Sequence, residues 1–284
     1  MTVKRLPLRR DDTCSTCLAI LSAGTTAWWD NGTRTVTCET CHNSTNEESH
    51  VESPPDTEDK SVPSVAQTVE MGLAGHSAME EYLRLHNKRE AHIDAKFGRF
   101  AGVIKFLTDD PQSITAWKKG SVGERKLAAS LKENLGDRAI LLHDRRVPRT
   151  KGNIDHLVVA GSGVWVVDAK NYSGLVQLRD VGGFFKVDNR LYVGGRDRTK
   201  VIDGLDWQVN AVTKALAGRD VPVQSAICFT DAEWGWFAKP FALRGTFVSG
   251  PNGLARKISE TSSLNVEEIQ EIAVHLSTAL PAKD

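Results

Sequence analysis

Residues 153–174 read NIDHLVVAGSGVWVVDAKNYSG, and their pattern decides the fold. Two apolar, β-branched runs flank Gly161-Ser162-Gly163, a turn signal, so they are read as an antiparallel hairpin. Val164 to Val167 are apolar throughout, which marks the second run as a central strand covered on both faces. Asp168-Ala169-Lys170 ends that run, and side chains two apart on a strand share a face. Charge at the end of a buried element is costly unless it is paired or holds a metal. Asp155 opens the first run, about as far from the turn as Asp168, so the hairpin brings the two acids together.

Two carboxylates and a lysine at one point suit metal-assisted phosphodiester hydrolysis. Carboxylate oxygens hold Mg²⁺ or Mn²⁺, the ion polarises the phosphate, and Lys170 orients the water or stabilises developing charge. A purely structural Asp168–Lys170 ion pair is the competing reading. Ser121-Val122-Gly123-Glu124 spells a capping box, so Glu124 either closes a helix N-terminus or joins the acids. Gln208 begins a helix facing the same sheet, as a partner for phosphate or carboxylate or as an exposed or capping side chain. Arg145, Arg146, Arg149 and Lys151 lie just before Asp155, and Arg190, Arg196, Arg198 and Lys200 follow in the next loop region. Both clusters either steer a phosphate backbone or are solvated charge.

Working outward, residues 121–135 form a helix with Leu127, Leu131 and Leu135 on one stripe. Beyond the hairpin, Phe184–Val187 and Leu191–Val193 read as a second hairpin and residues 204–217 as a helix. Val223–Phe229 and Thr246–Val248 read as strands, and residues 251–260 and 265–279 as closing helices. That order predicts an α/β domain over 118–284, a mixed β-sheet flanked by helices. Residues 67–117 are expected to form a helical arm, an element for self-association or for a protein partner. Residues 44–66 are polar, acidic and Pro-containing and are read as a flexible linker.

Residues 1–43 hold four of the five cysteines as two CxxC pairs, Cys14/Cys17 and Cys38/Cys41. Two such knuckles complete tetrahedral sulfur ligation of a structural Zn²⁺, as in a zinc ribbon; a redox dithiol or disulfide pair is the alternative. Between them, Asp30-Asn31-Gly32 signals a hairpin turn, and the adjacent Trp28 and Trp29 point to opposite faces of a strand. The chain has 284 residues with 36 basic and 36 acidic side chains, which excludes a basic coat over the whole chain but not a local basic face. No run approaches the ~18 apolar residues of a membrane span, and MTVKRLPLRRDDTC lacks the apolar core of a signal peptide. A cytoplasmic protein without membrane contact is expected.

With these residues in view, residues 118–232 resemble the nuclease-related domain (NERD) family, which is placed in the PD-(D/E)xK, restriction-endonuclease-like superfamily. The resemblance is carried by Gly123-Glu124, by Gly152-Asn153-Ile154-Asp155-His156-Leu157, by Val166-Val167-Asp168-Ala169-Lys170-Asn171-Tyr172-Ser173-Gly174 and by Trp207-Gln208. It implies a restriction-endonuclease-like core, Asp155 and Asp168 as ligands of Mg²⁺ or Mn²⁺, and Lys170 as the catalytic lysine. It makes Glu124 an accessory acid and Gln208 an accessory polar group. Many superfamily members carry Glu where this chain has Asp168. The chain also looks like bacterial members with an N-terminal four-cysteine zinc module and a helical spacer. DNA is the implied substrate, and a non-catalytic nucleic-acid-binding or adaptor protein that keeps the fold is the alternative.

Overall fold

The computed structural model describes residues 3–9, 12–15, 19–30, 35–44, 69–183, 186–236, 238–260 and 263–283. Cys17, nearly all of the expected linker, Asn31-Gly32 of the first turn, and Phe184 lie outside the described residues. Contacts divide the chain into two units, Met1–Ser64 and Val65–Asp284.

In the first unit, β1 (Val3–Pro7), β4 (Thr26–Asp30) and β5 (Thr35–Thr37) form an antiparallel sheet in the order β1-β4-β5. Two short strands, β2 (Asp12–Thr13) and β3 (Ile20–Leu21), pair beside it, and α1 (Glu39–Ser44) follows. Among the described residues the buried apolar cluster is Leu8, Cys14, Leu21, Ala27 and Val36, with Trp29, Cys38 and Cys41 packed against it. A core this small needs a further staple.

The second unit opens with α2 (His76–Phe97), a 3₁₀ turn at Gly98–Phe100, α3 (Ala101–Leu107) and α4 (Gln112–Leu135). Then come β6 (Ala139–Arg146), β7 (Asn153–Ala160), β8 (Gly163–Lys170), β9 (Gly174–Asp180), β10 (Asn189–Val193) and β11 (Arg196–Asp197). The short α5 (Lys200–Asp203), α6 (Asp206–Ala215), β12 (Val223–Phe229), β13 (Ala232–Trp234), β14 (Phe241–Leu243) and β15 (Thr246–Ser249) follow. Helices α7 (Pro251–Ile258) and α8 (Val266–Ala279) close the unit.

Six strands form a mixed sheet in the order β14-β15-β12-β8-β7-β6, parallel across β15-β12-β8 and antiparallel elsewhere. Alternation along β8 sends Val164 and Val166 into one cluster with Val212 of α6 and Ile272 and Leu276 of α8. Trp165 and Val167 join the other, with Leu127 and Leu131 of α4 and Leu254 and Ile258 of α7. The central strand is covered on both faces, as its sequence requires.

Two expectations need correction. Helix α4 crosses the boundary drawn at residue 117, and α2 and α4 pack against each other inside one unit, so the helical segment is not a separate arm. The second hairpin is β9–β10, whose first strand is Gly174–Asp180; of the expected strand, Lys186 and Val187 lie outside any strand and residues 184–185 lie outside the described residues.

Edge strand β6 is protected by the two ends of the unit. His143 N–H donates to the Met71 carbonyl (2.7 Å), Arg146 N–H to Pro281 (2.8 Å), and the Asp144 carbonyl accepts from Lys283 N–H (2.9 Å). Arg145 fastens this arrangement. It is fully buried, and its guanidinium donates to the carbonyls of Leu280 (2.7 Å), Glu70 (2.9 Å) and Ser277 (2.9 Å). A group so enclosed is closed to a phosphate backbone, which removes Arg145 from the expected nucleic-acid contacts. Arg146, Arg149 and Lys151 are exposed.

Arg145→Met is therefore expected to destabilise the unit by about 3 kcal/mol, since three carbonyls, two of them in buried contacts, lose a charged donor. Lys151→Ala should change stability by less than about 0.5 kcal/mol. Urea midpoints test the contrast; equal midpoints for the two variants would remove this role of Arg145.

Candidate active site at the ends of β7 and β8

The β7–β8 hairpin sets Ala160 opposite Gly163 and His156 opposite Val167. One step on, Asp155 meets the end of β8. Its Oδ2 accepts the Ala169 N–H at 3.3 Å, and its carboxyl shares a hydrogen bond with that of Asp168. Lys170 Nζ donates to Asp168 Oδ1. The neighbouring strand fixes this strand end, because Thr230 N–H donates to the Lys170 carbonyl (3.1 Å).

Glu124 enters from α4. Helix α4 begins at Gln112, so Ser121 and Glu124 lie in mid-helix, and the capping-box reading is corrected. Ser121 Oγ instead donates to the Gly75 carbonyl (2.7 Å), and Gly75 N–H donates to Glu124. Gly123 lets the helix come this close. A Cβ there would lie 2.8 Å from Asn171 Cβ and 3.0 Å from Thr230 Oγ1. Asn171 Nδ2 donates to the Lys119 carbonyl (2.8 Å), tying α4 to the residue after Lys170. Gly152 has a similar use, since a Cβ there would stand 2.5 Å from the Trp207 ring.

The electrostatics are those of crowded carboxylates. Burial first, then Asp144 and Asp168, push Glu124 up to about 7. Burial, then Glu124 and Asp168, raise Asp155 well above the usual carboxylate range. Burial alone would lower Lys170, but Asp168 and Asp155 outweigh it and its ammonium is held more tightly than usual. Glu124 Oε2 is buried and has no hydrogen-bond partner among the described residues.

A fourth acid, Asp144, sits beside these three and was not anticipated. Its φ is +49°, and the β6–β7 ladder omits only the Asp144–Asp155 pair between Ala139–Ala160 and Arg146–Asn153. The Asp144 carboxylate accepts from Ser77 N–H (2.6 Å), Ser77 Oγ (2.8 Å) and Asn153 Nδ2 (2.7 Å). It thus closes the N-terminus of α2, where a negative charge is favoured. Gln208 is buried on α6, with its Oε1 lacking a hydrogen-bond partner among the described residues. No hydrogen bond joins it to the carboxylates among the described residues. Of the second basic cluster, Arg190 is taken up by Asp188 (2.7 Å) and Asp197 (3.3 Å).

The first unit holds a separate candidate metal centre. The sulfurs of Cys14, Cys38 and Cys41 all lie within 4.8 Å of one another. Cys38 N–H donates to Cys14 Sγ (3.2 Å). Three converging thiols suit a soft or borderline ion such as zinc. Trp29 packs on this cluster, while Trp28 stacks on His42 with centroids 3.8 Å apart, as opposite strand faces require.

The raised Glu124 makes stability depend on pH. Between its ordinary value of 4.5 and about 7, the unfolded chain has lost the proton that the folded chain keeps. The folded state binds more protons there, so stability falls as pH rises through that window. Without divalent ions, Glu124→Gln should raise Tm by roughly 5 °C at pH 8, with the gain shrinking toward pH 4.5. A gain independent of pH would show that ionisation of Glu124 is not its cause.

No helix is long and apolar enough to cross a membrane among the described residues. No curated protein and no solved structure matches the chain. Residues 119–230, the stretch that carries α4 from its eighth residue, the β7–β8 hairpin and β12, match the family NERD, the nuclease-related domain.

Proposed function

We propose that the second unit is a metal-dependent nuclease that hydrolyses DNA phosphodiester bonds on a restriction-endonuclease-like core. What carries this reading is the meeting of Glu124, Asp155 and Asp168 with one ammonium, Lys170, at the ends of β7 and β8. Fully ionised, three carboxylates outnumber that ammonium, and burial makes the excess costly. A divalent cation fits this donor set. The donors are hard oxygens, and Glu124 Oε2 is buried without a partner. Asp155 and Asp168 hold Mg²⁺ or Mn²⁺ in this reading, with Glu124 as accessory acid. The bound ion supplies Lewis acidity to the phosphate and favours ionisation of water.

The chain's own side chains do the rest. Lys170 keeps its proton at neutral pH, because Asp168 and Asp155 outweigh its burial. It is therefore a donor, suited to orienting the attacking water or to stabilising charge that develops on the phosphate. Asp168 holds it in place through their direct contact. Gln208 serves as an accessory polar group, and Arg146, Arg149 and Lys151 contact the phosphate backbone as positioning groups. The first unit holds Zn²⁺ through Cys14, Cys38, Cys41 and Cys17, with all four positions filled by protein. Its role is binding, to nucleic acid or to a protein partner, rather than chemistry.

Cleavage of plasmid and single-stranded DNA in Mn²⁺, Mg²⁺ or EDTA tests the reading. Metal-dependent cleavage is expected, with losses of at least about 100-fold in Asp168→Ala and Lys170→Ala. Equal cleavage by wild type and Asp168→Ala would sink it, and tight DNA binding without any cleavage would favour the adaptor alternative. For the first unit, elemental analysis should give about one zinc per chain, lost in Cys14→Ala and Cys38→Ala. Wild-type zinc content in both variants would refute the ligand assignment.

A further inference from the structure

Three of the basic side chains near the strand ends are already partnered. Arg145 is enclosed by carbonyls, Arg190 by Asp188 and Asp197, and Arg244 is paired with Asp203. Arg198 differs. Its guanidinium carbon stands 4.7 Å from the centroid of the Tyr172 ring. No carboxylate reaches it among the described residues, and its Nε is buried with no hydrogen-bond partner.

Tyr172 is placed by the candidate active site itself. It lies two residues beyond Lys170 and within electrostatic reach of that ammonium. Its ring leans on Phe229, with centroids 6.0 Å apart, and Phe229 is the strand partner of Lys170 in the β8–β12 register. Phe229, Tyr172 and Arg198 therefore form a stack at the level of the carboxylates. Arg198 also lines an open cleft of about 600 Å³, whose other walls include Lys200, Arg190 with its partners Asp188 and Asp197, and Arg244 with Asp203.

Stacking fixes the plane of a guanidinium and leaves its edge, a rigid fork of N–H donors, for a planar or tetrahedral oxyanion. Plain cation–π packing accounts for the position of Arg198. It does not account for a half-buried charge without a counter-ion. A phosphodiester oxygen at the exposed edge of the guanidinium supplies one, through a charge-assisted contact.

We propose that Arg198, held in plane by Tyr172, binds a backbone phosphate of the nucleic-acid substrate next to the scissile bond. The inference rests on the nuclease reading and adds a substrate-binding residue that lies outside the acid–lysine set.

Binding of a short fluorescent DNA duplex by the full-length chain, measured from low to moderate salt in Ca²⁺, tests it. Loss of one phosphate contact should lower the slope of log Kd against log salt by about 0.9 in Arg198→Ala. Affinity at low salt should fall roughly tenfold, with the loss appearing in KM more than in kcat. Arg198→Lys keeps the charge and should recover the slope, with only part of the affinity. An unchanged slope in Arg198→Ala, or a slope in Arg198→Lys as low as in Arg198→Ala, would overturn the assignment while leaving the nuclease reading intact. A wild-type protein that neither binds nor cleaves DNA would remove both.

Discussion

The first five residues of β8, Gly163–Val167, are buried, so the strand has no place for an ionised side chain before its last three residues. Helices α4 and α7 cover one face, and α6 and α8 the other. Each cover brings its own requirement for close packing, met by Gly123 against Asn171 and Thr230 and by Gly152 against Trp207. The end of β8 is the first point where both covers release the strand. Asp168 and Lys170 stand there, and the antiparallel partner delivers Asp155 to the same point. Because the covers still exclude much of the water, Asp155 and the neighbouring Glu124 hold their protons more firmly than solvated carboxyls do.

Four acids share this corner, and hydrogen bonding sorts them. Asp144 has donors from Ser77 and Asn153 and holds the start of α2. Those contacts anchor it, which suits a structural post. Glu124 is the opposite case, with one backbone donor from Gly75 and one buried oxygen that finds nothing. An unsatisfied carboxylate oxygen beside two further acids costs stability, and a chain selected only to fold has cheaper side chains for the middle of α4. The interrupted Asp144–Asp155 pair serves both posts. The positive φ breaks the β6–β7 ladder where Asp144 is anchored by Ser77 and Asn153, and Asp155 is left to the β8 side.

Much of the hairpin and its covering layers was legible, because burial on both faces leaves a continuous apolar run and a two-residue period. The meeting of Asp155 and Asp168 follows from counting residues from the Gly161–Gly163 turn. Glu124 was legible as a candidate but not in its setting. The capping box at Ser121 is a local pattern, and the nine residues of helix before Ser121 are held by packing against α2 that no local signal records. Asp144 was invisible for a related reason, since its donors are Ser77, sixty-seven positions away, and Asn153 across the hairpin. Arg145 shows the same limit from the other side. In HDRRVPR it is one basic residue among several, and the return of residues 277–282 along β6, with Glu70 from the other end of the unit, encloses it.

The arginines bear on how a neutral chain engages a polyanion. With 36 basic and 36 acidic side chains, no general field draws DNA to this protein. Aspartates beside Arg190 and Arg244 reduce the net positive charge around the cleft still further. Binding under the nuclease reading then depends on a few placed contacts rather than on a charged surface. Such contacts must be held rigidly, since each loses side-chain entropy on binding. A guanidinium already stacked on Tyr172 has lost most of that freedom in the folded chain, whereas exposed Arg146, Arg149 and Lys151 have not. On that ground the stacked arginine contributes more per contact to orienting the backbone, and the exposed cations contribute mainly to the approach.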